Sequence, residues 1–316
     1  MKDTFRFTPA ELRERRSRSE VLSADGGLRL RVPFERPVDW RELLRYLAAR
    51  AIPGVQQVGG GRYRRLTLTC GNPGLIDVGP GRDGTHLEVM AHVPTMDSLI
   101  DEVARVRRLF ALDALPPTAL ADDAVLGPMV RRRPGLRIPG SWDRFETAIR
   151  VIVGQQVSVA AAGTVAGRIA ARHGQAFELS PFGTFRSFPP AAVLASADLD
   201  GLGMPGRRVE TIRAFAGAVA EGSLDLRSGA PLDELTATLE GLPGVGPWTS
   251  QMLALRVFRR PDAFPASDLG IRIAAGRLLG EERPAPKVVQ ELAERWRPHR
   301  AYAAQYLWTS LHEEER

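Results

Sequence analysis

A single cysteine, Cys70, occurs in 316 residues, which excludes an internal disulfide and any four-cysteine zinc or iron–sulfur centre. No stretch approaches the eighteen or so uninterrupted apolar residues that a bilayer-spanning helix requires, and the N-terminus lacks an apolar signal core. A cytoplasmic protein without a membrane partner is expected. Lysine is nearly missing too, present only as Lys2 and Lys287 among 43 basic residues. Glycine at 31 and proline at 24 stay below the enrichment that marks low complexity. What remains, 44% hydrophobic and 25% charged, is the composition of a folding chain long enough for two or three domains.

The 43 basic residues outnumber 37 acidic ones, for a net charge of +6. A polyanion such as nucleic acid fits that balance, although coding bias toward arginine would produce it equally well. The first 27 residues, with "RERRSRS" at 13–19, read as a polar tail. From 28 to 130 the pattern is mixed. "LRLRVPF", "RLTLTC" and "THLEVMAH" alternate as strands, whereas "DWRELLRYLAAR" and "MDSLIDEVARVRRLFAL" repeat as helices. An α+β N-terminal domain is predicted there. From 131 to 316 no strand is expected. Ser141 is placed to cap a helix whose apolar face is Phe145, Ala148, Ile149, Ile152 and Val153, and Ser158 to cap the next. Further helices are predicted near 190–197, 206–221, 232–240, 247–259, 268–280, 287–296 and 300–312. Trp40, Trp142 and Trp296 read as core. His173, His299 and His312 have no metal-binding spacing.

"LEGLPGVGPWTSQMLALRVF" at 239–258 reads as a helix-hairpin-helix. Gly244 and Gly246 allow a close backbone approach, and Pro247 suits the first position of the second helix. The free N–H groups of that helix start suit a DNA phosphate, with Leu242, Gly244, Val245, Gly246 and Thr249 forming the cradle. An ordinary tight turn between helices would use the same residue types. Downstream, "AFPASDLGIRIAAGRLL" sets Asp268 at a helix start, where it can cap the helix and face a cleft as an anion. Arg207 and Arg208, after "LGMPG", suit either a second phosphate contact or a solvated helix start.

"LPGVGPW" followed by "FPASD" resembles the signature of the HhH-GPD superfamily of base-excision glycosylases. "RRRPGLRIPGSWDRFETAIRVIVGQQVSVAAAG", "LGMPGRRVETIRAFA" and "RWRPHRAYAAQYLW" are similar to its DNA-3-methyladenine glycosylase II, or AlkA-type, branch, in the family's order and over roughly residues 28–312. The resemblance implies an N-terminal domain like half of a TATA-binding protein, followed by a mainly all-α region of two lobes around a cleft. It implies Asp268 as the catalytic aspartate and Trp248, Met252 and Trp308 as the base pocket, with Met252 standing where a relative has an aromatic residue. It sets Gln155 and Gln156 at the DNA wedge, where better-known relatives are apolar. Bifunctional relatives carry an imine-forming lysine at the position of Trp248, so a monofunctional enzyme on alkylated duplex DNA is implied. It would act as a monomer on cationic bases attracted to aromatic faces by about 0.5–2 kcal/mol. No cofactor is implied, beyond a possible monovalent cation at the carbonyls of Glu240, Leu242 and Val245. An oxidised-base glycosylase and a non-catalytic DNA-binding hairpin protein are the alternatives.

Overall fold

A computed structural model of the chain describes residues 27–312. The polar tail read at the N-terminus therefore lies, but for Gly27, outside the described residues. Five antiparallel strands form one sheet in the order β1-β5-β4-β3-β2. They are β1 (Leu28–Pro33), β2 (Gln56–Gly59), β3 (Arg62–Thr69), β4 (Asn72–Pro80) and β5 (His86–His92). In β1, Leu28, Leu30 and Val32 alternate inward with exposed partners, so one face of the strand is apolar and buried. Helices α1 (Trp40–Arg50) and α2 (Leu99–Leu109) bury Leu43, Leu47, Val106 and Leu109 in the same core. Asp39 caps α1 by accepting the Glu42 N–H at 3.0 Å.

Helices dominate the remainder. They are α3 (Gly127–Arg132), α4 (Arg144–Val153), α5 (Val159–His173), α6 (Ala191–Leu194), α7 (Gly206–Ala220), α8 (Leu232–Glu240), α9 (Pro247–Arg256), α10 (Leu269–Leu279), α11 (Pro286–Ala293) and α12 (Arg300–Ser310). One contiguous core joins them, with Ile149 and Ile152 of α4 packed among residues of α7, α9 and α10. Ser158 caps α5 through the Ala161 N–H at 3.1 Å, as its position predicts.

Three expectations need correction. Asp143, not Ser141, caps α4, accepting the Glu146 N–H at 2.8 Å. Ser141 is buried with an unpartnered hydroxyl, because the chain enters the helix two residues later than the serine suggests. Strands also recur beyond residue 131, as a hairpin of β6 (Ala176–Leu179) and β7 (Gly183–Arg186). Its Leu179 and Phe185 bury against Leu66 and Leu75 of the sheet, so tertiary burial stabilises two strands too short to show a period in sequence. β2 and β4 were not read either. β4 begins Asn72-Pro73-Gly74, residues that signal a turn when seen alone.

The sheet and the helices are locked by a buried ion pair. Arg65 of β3 grips Glu146 of α4 with two donors, at 2.7 and 3.2 Å, and Gln56 of β2 donates to the same carboxylate at 3.0 Å. Burial alone would lower the Arg65 pKa, but the Glu146 charge holds it above its ordinary value. Tyr63, donating to Gln56 at 3.1 Å, has its pKa pushed up to about 12 chiefly by burial. Removing one partner of such a pair leaves a buried charge unmatched. Glu146→Ala should lower unfolding free energy by about 3–5 kcal/mol in urea titration, and Arg65→Met combined with Glu146→Met should recover most of that loss.

Candidate active site

Helices α8 and α9 meet at the turn 241–246, the hairpin predicted from "LPGVG". Gly244 has φ of +76°, and a Cβ there would lie 1.9 Å from Thr211 Oγ1 of α7, so only glycine lets the hairpin close on that helix. Gly246 is the N-cap of α9 and brings no side chain to it. The N–H groups of Gly244, Gly246, Trp248 and Thr249 donate to no atom among the described residues. Unpaired donors at a helix start form an anion-binding surface. Val245 is buried beneath them, and the Leu242 carbonyl accepts the Val245 N–H at 3.1 Å.

Gln155 spans from the α4–α5 turn to this hairpin. Its side-chain amide donates to the Gly244 carbonyl and to Thr249 Oγ1, both at 2.9 Å. Arg208 of α7 donates to the Gln155 carbonyl. Gln155 is thus committed to holding two elements together, while Gln156 beside it is exposed, with a left-handed φ of +54°. Val157 follows, 40% exposed and at the wall of the adjacent cavity.

That cavity, about 370 Å³, lies between the sheet domain and the helices, within the size range of ligand pockets. Trp248, Met252, Asp268 and Trp308 all line it, so four residues scattered over 61 positions of sequence are brought together. Leu255, which shares a helix face with Trp248 and Met252, is in the core instead.

Asp268 is the N-cap of α10, its Oδ1 accepting the Ile271 N–H at 3.1 Å. The same oxygen accepts the Trp308 indole N–H at 2.8 Å, and Oδ2 accepts the Trp248 indole N–H at 2.9 Å. Gly270 permits this approach, since a Cβ there would lie 3.1 Å from the Trp308 ring. A carboxylate offers about four lone-pair positions, and three are filled. The last, on Oδ2, belongs to a side chain at the cavity wall.

The sequence reading missed the cations of this cavity. Arg256 continues the line of Trp248 and Met252 at intervals of four along α9, a spacing visible in sequence but not used. Its guanidinium carbon stands 4.8 Å from the centroid of the Trp308 ring. Arg150 and Tyr46 come from α4 and α1, and nothing local signals their meeting.

The chain matches two family models, the AlkA N-terminal domain over residues 29–143 and the HhH-GPD superfamily base excision DNA repair protein over residues 149–298. It is 40% identical, over 98% of its length, to a probable bifunctional transcriptional activator/DNA repair enzyme AlkA of Mycobacterium tuberculosis, and spans 63% of that relative. It is 33% identical to DNA-3-methyladenine glycosylase 2 of Escherichia coli, over 87% of the chain and 95% of the relative. The solved 3-methyladenine DNA-glycosylase of Archaeoglobus fulgidus superposes with a TM-score of 0.78 at 23% identity, covering 90% of this chain and 98% of that one. Among the described residues no helix is long and apolar enough to cross a membrane. With a sheet-containing AlkA-type N-terminal domain followed by a helical hairpin region, the chain belongs to the HhH-GPD superfamily of base excision DNA repair proteins.

Proposed function

We propose that this chain is a monofunctional DNA glycosylase that extrudes alkylated purines from duplex DNA and hydrolyses their N-glycosidic bond, leaving an abasic site. The observation that supports it best is the Asp268 carboxylate, pinned by two indole N–H groups at the wall of a cavity with one lone pair left over. A target base inside a duplex is out of reach of such a cavity, so it must be rotated out of the stack. The hairpin amides around Gly244 and Gly246 hold a phosphate without reading sequence. Gln156, exposed on a turn that Gln155 ties to that hairpin, fills the space the base leaves.

When the C1′–N bond breaks, its electron pair leaves with the base and positive charge develops on the sugar ring. A fixed anion lowers the energy of that state most when it need not reorient, and the three N–H donors remove its freedom to do so. Water then adds to C1′ and loses a proton, which completes hydrolysis. Trp248 stands where an imine-forming lysine would be needed, and an indole nitrogen is no such nucleophile. The enzyme acts as a monomer in this reading. The hairpin carbonyls of Glu240, Leu242 and Val245 would hold a monovalent cation near the phosphate, outside the chemistry.

Asp268→Asn replaces one acceptor oxygen by a donor amide, which confronts one of the indole N–H groups. Release of methylated purines from alkylated duplex should fall by on the order of 10²-fold or more while DNA binding persists. If wild type and variant are equally inert yet both bind, the chain is a DNA clamp and not an enzyme. Borohydride trapping on a damaged duplex should give no covalent protein–DNA adduct; an adduct would point to an imine and to the bifunctional, oxidised-base class.

A further inference from the structure

Arg208 takes no part in the chemistry above, yet its side chain is engaged where the wedge turn meets the rest of the fold. It is the third residue of α7, and its guanidinium reaches back to the α4–α5 turn. Nη2 donates to the Gln155 carbonyl, Nε is buried without a partner, and burial holds the group below the ordinary arginine pKa. Three residues on along α7, and so on the same face, Thr211 stands against Gly244. One helix therefore backs both the wedge turn and the phosphate hairpin.

Gln155 is held at three points. Its N–H donates to the Ile152 carbonyl at 3.1 Å, its side-chain amide donates to the Gly244 carbonyl and to Thr249 Oγ1, and its own carbonyl accepts from Arg208. That carbonyl and the Gln156 N–H belong to one rigid peptide plane. The angle at which Gln156 departs from the plane is its φ, here +54°, a left-handed value that a residue with a Cβ keeps only under constraint. Gln156 is exposed, and its side chain makes no hydrogen bond among the described residues. The constraint on it thus comes through the plane that precedes it.

We propose that Arg208 is a positioning residue of the DNA wedge: together with Gln155 it sets the 155–156 peptide plane, and so aims Gln156 outward before DNA arrives. The proposal rests on the wedge reading of Gln156 and adds what holds that residue in place. A wedge set in advance need not be ordered while the base is being extruded. A direct contact between Arg208 and a DNA phosphate is the alternative, and salt separates the two, because each phosphate contact releases counterions.

Single-turnover release of methylated purines from alkylated duplex, measured beside duplex affinity at several salt concentrations, provides the test. Arg208→Met keeps the apolar stem and removes the guanidinium; release should slow about tenfold or more, as for a displaced group, with the salt slope of affinity unchanged. A slope shallower by about one would make Arg208 a phosphate contact and overturn the proposal. Gln155→Met should slow release in the same way, and it provides the comparison if Arg208→Met fails to fold. Combined with Gln156→Ala, either change should cost less than about twofold more, because a plane that aims no wedge has nothing left to position. Losses that multiply in the double variants would overturn the proposal and leave the wedge reading intact, whereas Gln156→Ala acting at the wild-type rate would sink the wedge reading itself. Absence of base release by wild type would sink the glycosylase reading. The fluorescence of 2-aminopurine beside an abasic-site analogue, which responds to wedge insertion, would still compare the same variants.

Discussion

A carboxylate held at both oxygens by indole N–H groups is the contact on which the site is built. Three helices converge to make it: α9 brings Trp248, α10 brings Asp268 as its own N-cap, and α12 brings Trp308. A capping aspartate is already oriented by the backbone N–H it accepts, and each indole adds a charge-assisted bond near 2.8–2.9 Å. Both indoles serve through their edges, as donors to the anion, and Arg256 stands beside the Trp308 ring.

The convergence depends on supports far from it. Gly244 lets the hairpin settle on α7, Gly270 lets Trp308 reach the carboxylate, and Gln155 ties the neighbouring turn to the hairpin. The Arg65–Glu146 pair fixes the sheet against α4, and that same helix carries Arg150 into the cavity. The N-terminal domain thus contributes to the site itself, supplying Tyr46 and Arg50 to its wall. Asp268 and the guanidinium groups of Arg50, Arg150 and Arg256 line the same cavity.

How far the sequence could be read follows from which interactions are local. The hairpin, the helix caps at Ser158 and Asp268, and the line from Trp248 to Met252 rest on residues within a turn or two of one another, and their spacing shows in the letters. The same spacing extends to Arg256, where an arginine among apolar neighbours reads as a surface break although it is buried. The β6–β7 hairpin is held by contacts with a sheet more than a hundred residues earlier, so its four-residue strands give no periodic signal. The meeting of Arg150, Tyr46 and Arg256 is likewise a product of the domain packing. That two indoles partner Asp268 also required the fold, because tryptophan in a pocket suggests stacking before hydrogen bonding.

The claim that matters most is that the indole N–H groups tune the anion for catalysis. Single-turnover release of a methylated purine by Trp308→Phe tests it, since phenylalanine keeps an aromatic face and deletes the donor to Oδ1. The rate of the chemical step should fall about tenfold or more, in line with about 1.5–3 kcal/mol for a hydrogen bond to a charged group, with duplex affinity little altered. A variant that releases the base at the wild-type rate would contradict the account.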